Sequence, residues 1–375
     1  MRLTRYPGMA VFTLFLTFAG CSSEERTSAS LPPIEIRIDP TVELFCIIHR
    51  LAETGQDVTN ELPGYIEDIR GHFGSFCDHQ AVSVAKGLWA THRINLSALS
   101  TLVVYLDAPP GLRPRNELDP VPSELDSRWS ADVIPAFIAA ARDFSRDSDF
   151  PEFFNNHQDL YDRAIENLNN CLVDENMLPW FQSYFNYIPG NFSIIIGMQT
   201  GWGNYGASIT RRDGTSEFFA ILGAHSPFFW SDVPRFSRSE VIPIVVHEFC
   251  HPYVNPQVQQ HCELLKDAGQ RLYRHHQARL AEGGCLQWDH MMNEYMVRAC
   301  VIRYFYARND IKAVNRQIQD DERQGYVGIR RLAEFLKEYE EDRITYRDMD
   351  SFFPRIAGYF KQFADSSDSR SKDGF

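Results

Sequence analysis

Beyond its first 21 residues, this 375-residue sequence has no apolar run long enough to cross a bilayer, which takes about 20 residues. Basic charge is scarce. Lys and Arg number 37 against 50 Asp and Glu, a formal net charge of −13, and that balance argues against nucleic acid as a partner. There is no glycine-rich nucleotide loop, no internal repeat and no low-complexity segment, so neither phosphate-cradling chemistry nor a solenoid is expected. Cysteine is sparse too, eight in all. After Cys21 an odd number remains, so at least one thiol is free even where export permits disulfides. Cys262 and Cys285 flank a loop-like stretch within the polar residues 257–287 and form the best candidate pair.

The rest of the composition is that of a globular protein, 44% hydrophobic and 23% charged, with length for two domains or one large one. Residues 1–21 read as a lipoprotein signal peptide. Arg2 and Arg5 precede a short apolar run, Met9 to Phe18, and Phe18-Ala-Gly-Cys21 resembles a bacterial lipoprotein cleavage site with Cys21 as the acylated residue. An ordinary secretory signal with a chance cysteine is the alternative. Residues 22–33, polar at first, suit a tether. These features point to the bacterial cell envelope, with the membrane reached through an N-terminal lipid anchor.

Residues 34–185 read as a mostly helical N-terminal region. A short strand is expected at 34–39, then helices at 41–52, 64–73, 82–106, 130–144, 150–156, 160–172 and 179–185. Pro109-Pro110-Gly111 and Pro114 to Pro122 mark a loop. The texture changes after Pro189-Gly190. Three short β-rich runs follow, 192–198, 207–210 and 217–222, with a glycine turn at Gly201 to Gly206 that would allow close backbone approach. Residues 186–365 form the second region, with further helices at 311–319, 327–339 and 352–363. Residues 366–375 read as a disordered polar tail. The expected fold class is α+β and mostly helical.

The chemistry is concentrated in Val241-Ile-Pro-Ile-Val-Val-His-Glu-Phe-Cys-His-Pro-Tyr-Val-Asn-Pro256, which contains His247-Glu248-Phe-Cys-His251, an H-E-x-x-H pattern. Residues four apart share a helix face, so His247 and His251 can offer two imidazoles to one metal ion. Glu248 lies about 100° round the axis. It is misplaced as a third ligand and well placed to take a proton from water at the open metal position. The bland alternative is a helix with two satisfied histidines and a surface glutamate. The apolar run before His247 opposes it, because buried polar groups are costly without a partner. Pro243 fits the helix start, Asn255-Pro256 its end, and Pro252 is expected to kink it. Cys250 points off the histidine face and reads as core.

Zn2+ with two histidines wants a third protein ligand. The helix from Trp288 to Tyr306 carries Glu294 among its middle turns, and Glu294 is the preferred candidate. A plain Glu294–Arg298 ion pair is the competing account, and both hold if Arg298 orients the carboxylate. His290, one turn earlier, is the rival ligand or a donor to a developing oxyanion. Tyr253 and Tyr295 are further oxyanion candidates.

At His247-Glu-Phe-Cys-His-Pro-Tyr-Val-Asn-Pro256 followed by Asn293-Glu294, the sequence resembles the gluzincin type of metallopeptidase. It is also similar to a bacterial domain-of-unknown-function family, number 4932, whose signature is near H-E-F-S-H-x-F-V-N-P. The likeness runs from about Pro40 to Phe360, with Cys250 for Ser and Pro252 as departures. The resemblance implies His247, His251 and Glu294 as zinc ligands, Glu248 as base, and a zincin-like site with a small sheet beside the motif helix. The expected activity is zinc-dependent hydrolysis of a peptide or protein substrate. Two alternatives stand beside it: a surface lipoprotein that binds a glycan, peptide or protein without catalysis, and a zinc amidase acting on cell-wall material.

Overall fold

A four-stranded mixed sheet is the frame on which the helices are hung, here in a computed structural model that describes residues 31, 33–53, 62–201, 203–225 and 233–373. The signal peptide, Cys21, most of the tether and Trp202 of the glycine turn lie outside the described residues. The strands are β1 (Glu35–Arg37), β2 (Asn191–Gly197), β3 (Tyr205–Thr210) and β4 (Ser216–Gly223), in the order β1-β2-β4-β3. β1 pairs parallel with β2, and β2 parallel with β4. β3 closes one edge antiparallel to β4. β2 is almost wholly buried, which suits its run of Ile194-Ile-Ile196. Residues 32–375 form one compact unit, and β1 joins the N-terminal helical region to the sheet.

The helices before the sheet are α1 (Pro40–Leu51), α2 (Pro63–Phe73), α3 (Gln80–His92), α4 (Leu96–Val103), α5 (Ile134–Asp147), α6 (Phe150–Asn156), α7 (Gln158–Leu172) and α8 (Met177–Phe185). The single helix expected at 82–106 is two. Arg93 takes a left-handed φ of 56°, and the Asn95 side chain accepts from Ala98 N to start α4. After the sheet come α9 (Arg238–Gln260), α10 (Cys262–Glu282), α11 (Trp288–Ala307), α12 (Ile311–Arg323), α13 (Ile329–Phe335), α14 (Lys337–Glu341) and α15 (Met349–Asp373). No helix among the described residues is long and apolar enough to cross a membrane.

The register decides which side chains meet the motif helix. Gly206 pairs with Ala220, and Ala220 with Ile194, so this row shares one face of the sheet. The row holding Phe218 and Phe192 lies on the same face, two residues along. Phe192 meets Phe249 of α9 with ring centroids 4.6 Å apart. On the other face, Ile221 and Tyr205 line a small apolar cavity with Phe45 of α1 and Leu99 of α4. The sheet is therefore covered on both sides.

α1 also holds the chain that leads into β3. Glu43 is fully buried. Its carboxylate accepts from Met198 N at 2.9 Å, Tyr65 OH at 3.0 Å and Gln199 Nε2 at 3.1 Å. Three donors satisfy the buried group and fix the backbone just after β2.

Three expectations need correction. Cys262 and Cys285 are free thiols, as are all seven described cysteines. The region between them is not a loop: α10 occupies it with 21 residues, which places its two ends about 30 Å apart. The tail from Ser366 is not disordered as far as Asp373, because α15 continues through it. Asp365 and Asp368 reach Arg271 at 2.7 and 2.6 Å, and His275 reaches Asp368 at 2.6 Å, so α10 holds the helix end. Finally, Pro243 does not start the motif helix and Pro256 does not end it.

Candidate metal centre

α9 runs for 23 residues with Pro243, Pro252 and Pro256 all inside it. Each proline removes one backbone donor and leaves the carbonyl four residues earlier without its helical partner. For Pro243 that carbonyl belongs to Ser239, and Arg316 Nη1 lies 3.5 Å from it. Burial does the rest. Val241, Ile242, Val245, Val246, Phe249, Cys250, Tyr253 and Val254 are all buried, so packing against β4 and α11 outweighs the local cost. Cys250 is core, as its place on the helix suggests.

α11 crosses α9 and brings Glu294 to the two histidines. His247 Nε2 and His251 Nε2 are 3.2 Å apart. Glu294 straddles them, with Oε2 3.6 Å from His247 Nε2 and Oε1 3.6 Å from His251 Nε2. A tetrahedral ion with ligands at about 2.0–2.1 Å spaces those ligand atoms about 3.3–3.4 Å apart, close to the distance between the two imidazole nitrogens, and each of them has a different Glu294 oxygen at 3.6 Å. Among the described residues, this is the only group of three His, Cys, Asp or Glu placed to hold a metal ion.

The electrostatics suit a site for a cation. Glu294 is 7% exposed. Burial pushes its carboxyl up, but His247, His251 and Arg298 outweigh burial and hold it well below the usual carboxylate range. Burial pulls His247 down, and the Glu294 carboxylate more than reverses that, leaving it above the ordinary imidazole value. His251 is lowered, by burial first and His247 second. Its Nδ1 lies 3.1 Å from Asn255 Oδ1. With the Nδ1 proton given to that oxygen, the Nε2 lone pair faces the triad. Two such lone pairs and a carboxylate repel unless a proton or metal ion sits among them.

Glu248 takes no part in the triad. It points to the sheet, where a Cβ added to Gly206 would stand 2.5 Å from its Oε2. Gly206 lies on the edge strand β3 and has no Cβ to obstruct the carboxylate. A cleft of about 940 Å³ opens on His247 and Glu248 and continues past Asn204, Gly223 and His225 towards Arg316. Gly223, at its wall, is a forced glycine of a different kind from Gly206, since a Cβ there would collide with the Gly201 backbone carbonyl.

The candidate oxyanion donors separate clearly. His290 Nε2 lies 3.9 Å from Glu294 Oε1 on a half-exposed ring, beside the triad and outside it. Tyr253 and Tyr295 do not face the site. Tyr253 is fully buried, stacked on Phe185 at 4.2 Å and close to Phe181 and Phe192. Its residue number puts it two positions past His251, about 200° round the helix, on the sheet side. Tyr295, next to Glu294, turns the other way and donates to Val327 O at 3.0 Å.

Arg298 Nε donates to Glu294 Oε2 at 3.0 Å, so the orienting role expected for it has its geometry. The sequence reading missed what holds Arg298. Asp321 on α12, wholly buried, accepts from Arg298 Nη1 at 2.6 Å and from Gln317 Nε2 at 3.0 Å. A signal was present. Val314, Ile318 and Asp321 form the buried stripe of α12, and an acid on such a stripe calls for a cation. Asn255 was missed as the partner of His251 because it read as a helix end.

No curated protein and no solved structure matches the chain. A family model does, over residues 121–358, which takes in β2, β3, β4, α9, α11 and α12 but starts well after Pro40 and leaves out β1. On that match, more than half of its length, the chain belongs to the family described as Domain of unknown function (DUF4932).

Proposed function

We propose that the chain is a zinc-dependent peptidase. One observation carries the reading: the Glu248 carboxylate stands beside the His247–His251–Glu294 triad, lines the same cleft as His247 and lies against the edge strand at Gly206. Two imidazoles and one carboxylate are a donor set that suits zinc and leaves a fourth position open. A divalent ion held there would supply Lewis acidity to water and to a carbonyl. Glu248 accepts the proton of the attacking water and returns it to the leaving amine. β3 is the sheet edge, where an extended chain would add backbone hydrogen bonds beside Glu248. With Tyr253 and Tyr295 turned away, His290 is the donor left to stabilise an oxyanion. Acylation of Cys21 would hold this activity at the cell envelope.

The test loads the protein with Zn2+, measures bound metal, and digests a mixed peptide library with and without chelator. A parallel arm uses peptidoglycan fragments. Chelator-sensitive peptide cleavage is expected, and Glu248→Gln should keep the metal while losing about 10²-fold or more in rate. Metal bound with no peptide cleaved would overturn the peptidase reading in favour of binding. Cleavage confined to the fragments would favour an amidase.

A further inference from the structure

We infer that Asp321, from a third helix, is a positioning residue for the metal: it holds Arg298, and through Arg298 it sets the orientation and charge of Glu294. The inference rests on the metal reading of the triad and extends it to α12. The links are short and closed in. Arg298 reaches Glu294 Oε2 at 3.0 Å with Nε and Asp321 Oδ1 at 2.6 Å with Nη1. Its guanidinium carbon lies 4.2 Å from the Tyr326 ring centroid, so an aromatic face covers the plane. Tyr326 N in turn donates to Asp321 O at 3.0 Å. Asp321 has 0% exposure, and its Oδ2 is a buried oxygen with no hydrogen-bond partner.

The charge arithmetic explains why an acid is needed there. Arg298 alone would orient Glu294 but would place a guanidinium one carboxylate away from a divalent ion, and the two cations repel. Asp321 cancels that charge while pinning the guanidinium, so Glu294 keeps its direction without losing its attraction for metal. A partner that orients a ligand in this way is worth about 10–100-fold in metal affinity.

The experiment uses the full chain and measures Zn2+ affinity by chelator competition and the visible absorption of the Co2+-loaded protein. Asp321→Asn keeps an acceptor and drops the charge. It should weaken Zn2+ by about 10–100-fold and shift the Co2+ bands, which a purely structural role would leave in place. In an Arg298→Met background the same change should cost little more, because the two act in series. Should Asp321→Asn fail to fold, the Arg298→Met/Asp321→Leu double variant replaces the pair by apolar groups of similar size, a change that folds commonly tolerate. It should carry the same loss of affinity. Wild-type affinity in either variant, or an equal drop in both backgrounds, overturns the relay and leaves the metal reading standing. A wild-type chain that binds no Zn2+ overturns both.

Discussion

Gly206→Ala is the substitution that separates the proposed base from everything around it. The new methyl would lie 2.5 Å from Glu248 Oε2, whereas ordinary contact begins at 3.4 Å. The carboxylate must therefore retreat by about 0.9 Å, the difference of those two distances. The retreat is mechanically easy, since the obstacle is the free end of a flexible side chain and Gly206 has no left-handed φ to forbid alanine. Stability should hold or rise by about 0.4–1 kcal/mol, because alanine narrows the unfolded ensemble. Catalysis has no such tolerance. A misplacement of about 1 Å in a reacting group costs roughly 10²-fold, within the 10²–10⁴-fold that general base catalysis supplies.

The assay follows peptide hydrolysis by steady-state kinetics, with bound zinc and thermal unfolding measured on the same preparations. The expected result is a kcat lower by about 10²-fold, with metal content and midpoint unchanged. Glu248→Asp moves the same carboxylate back by its own route, so the two substitutions should be non-additive. A kcat within a few-fold of wild type would refute the reasoning, because it would mean either that Glu248 does not act or that β3 does not fix where it acts. Loss of zinc in step with activity would refute it differently, by showing that Gly206 supports the ligands.

Tyr253→Phe should leave turnover unchanged and stability equal or up to about 1 kcal/mol higher, since the hydroxyl removed is buried without a partner; a kcat reduced tenfold would return Tyr253 to the site. Zinc affinity should fall with pH. Glu294 holds His247 above the ordinary imidazole value, and the ligand must lose its proton to bind metal, so as pH is lowered the affinity should start to weaken earlier than an ordinary imidazole would set, in titrations followed by a zinc indicator. The sign for the metal-free fold is opposite: the stability that His247 gains from Glu294 is fully present below about pH 6.5 and is lost as pH rises through the higher folded value. Zinc affinity that stays flat from pH 8 to pH 5 would refute the His247–Glu294 coupling.

What the sequence disclosed and what it hid divide along the range of the interactions. The spacing of His247 and His251 is a property of one helix turn, and Glu294 stood out as the one acid among the middle turns of a packed helix; the structure brings all three together. β2, β3 and β4 were legible because their β-branched and aromatic residues carry a local preference. The length of α9 was not. Pro243 and Pro256 should have bounded it and Pro252 kinked it, and the burial of Val241, Ile242, Val245, Val246, Phe249, Cys250, Tyr253, Val254 and Val258 favours one continuous helix to Gln260. Helical spacing already turns Tyr253 about 200° from His251, but what receives Tyr253 and Tyr295 depends on the neighbours of α9 and α11, which no periodicity shows. The Cys262–Cys285 pairing failed for a similar reason, because polar residues 262–282 form a helix that owes its burial to α15 and α11.

The chain of charges behind Glu294 is the feature that stability alone does not explain. Arg298, Asp321 and Gln317 occupy a stretch of core that apolar side chains could fill. Replacing a buried ion pair by packed hydrophobic groups is often neutral or stabilising, so a fold that needed only cohesion had a simpler solution. Asp321 even keeps one oxygen unsatisfied, a cost of about 1–3 kcal/mol. A carboxylate that had merely to sit beside two histidines would not need an arginine on its Oε2 that is itself held from another helix. One that must present its front to a cation would, because its orientation decides how strongly it binds. The polar core between α9, α11 and α12 thus favours a metal at the triad on grounds independent of the His247-Glu-x-x-His251 spacing.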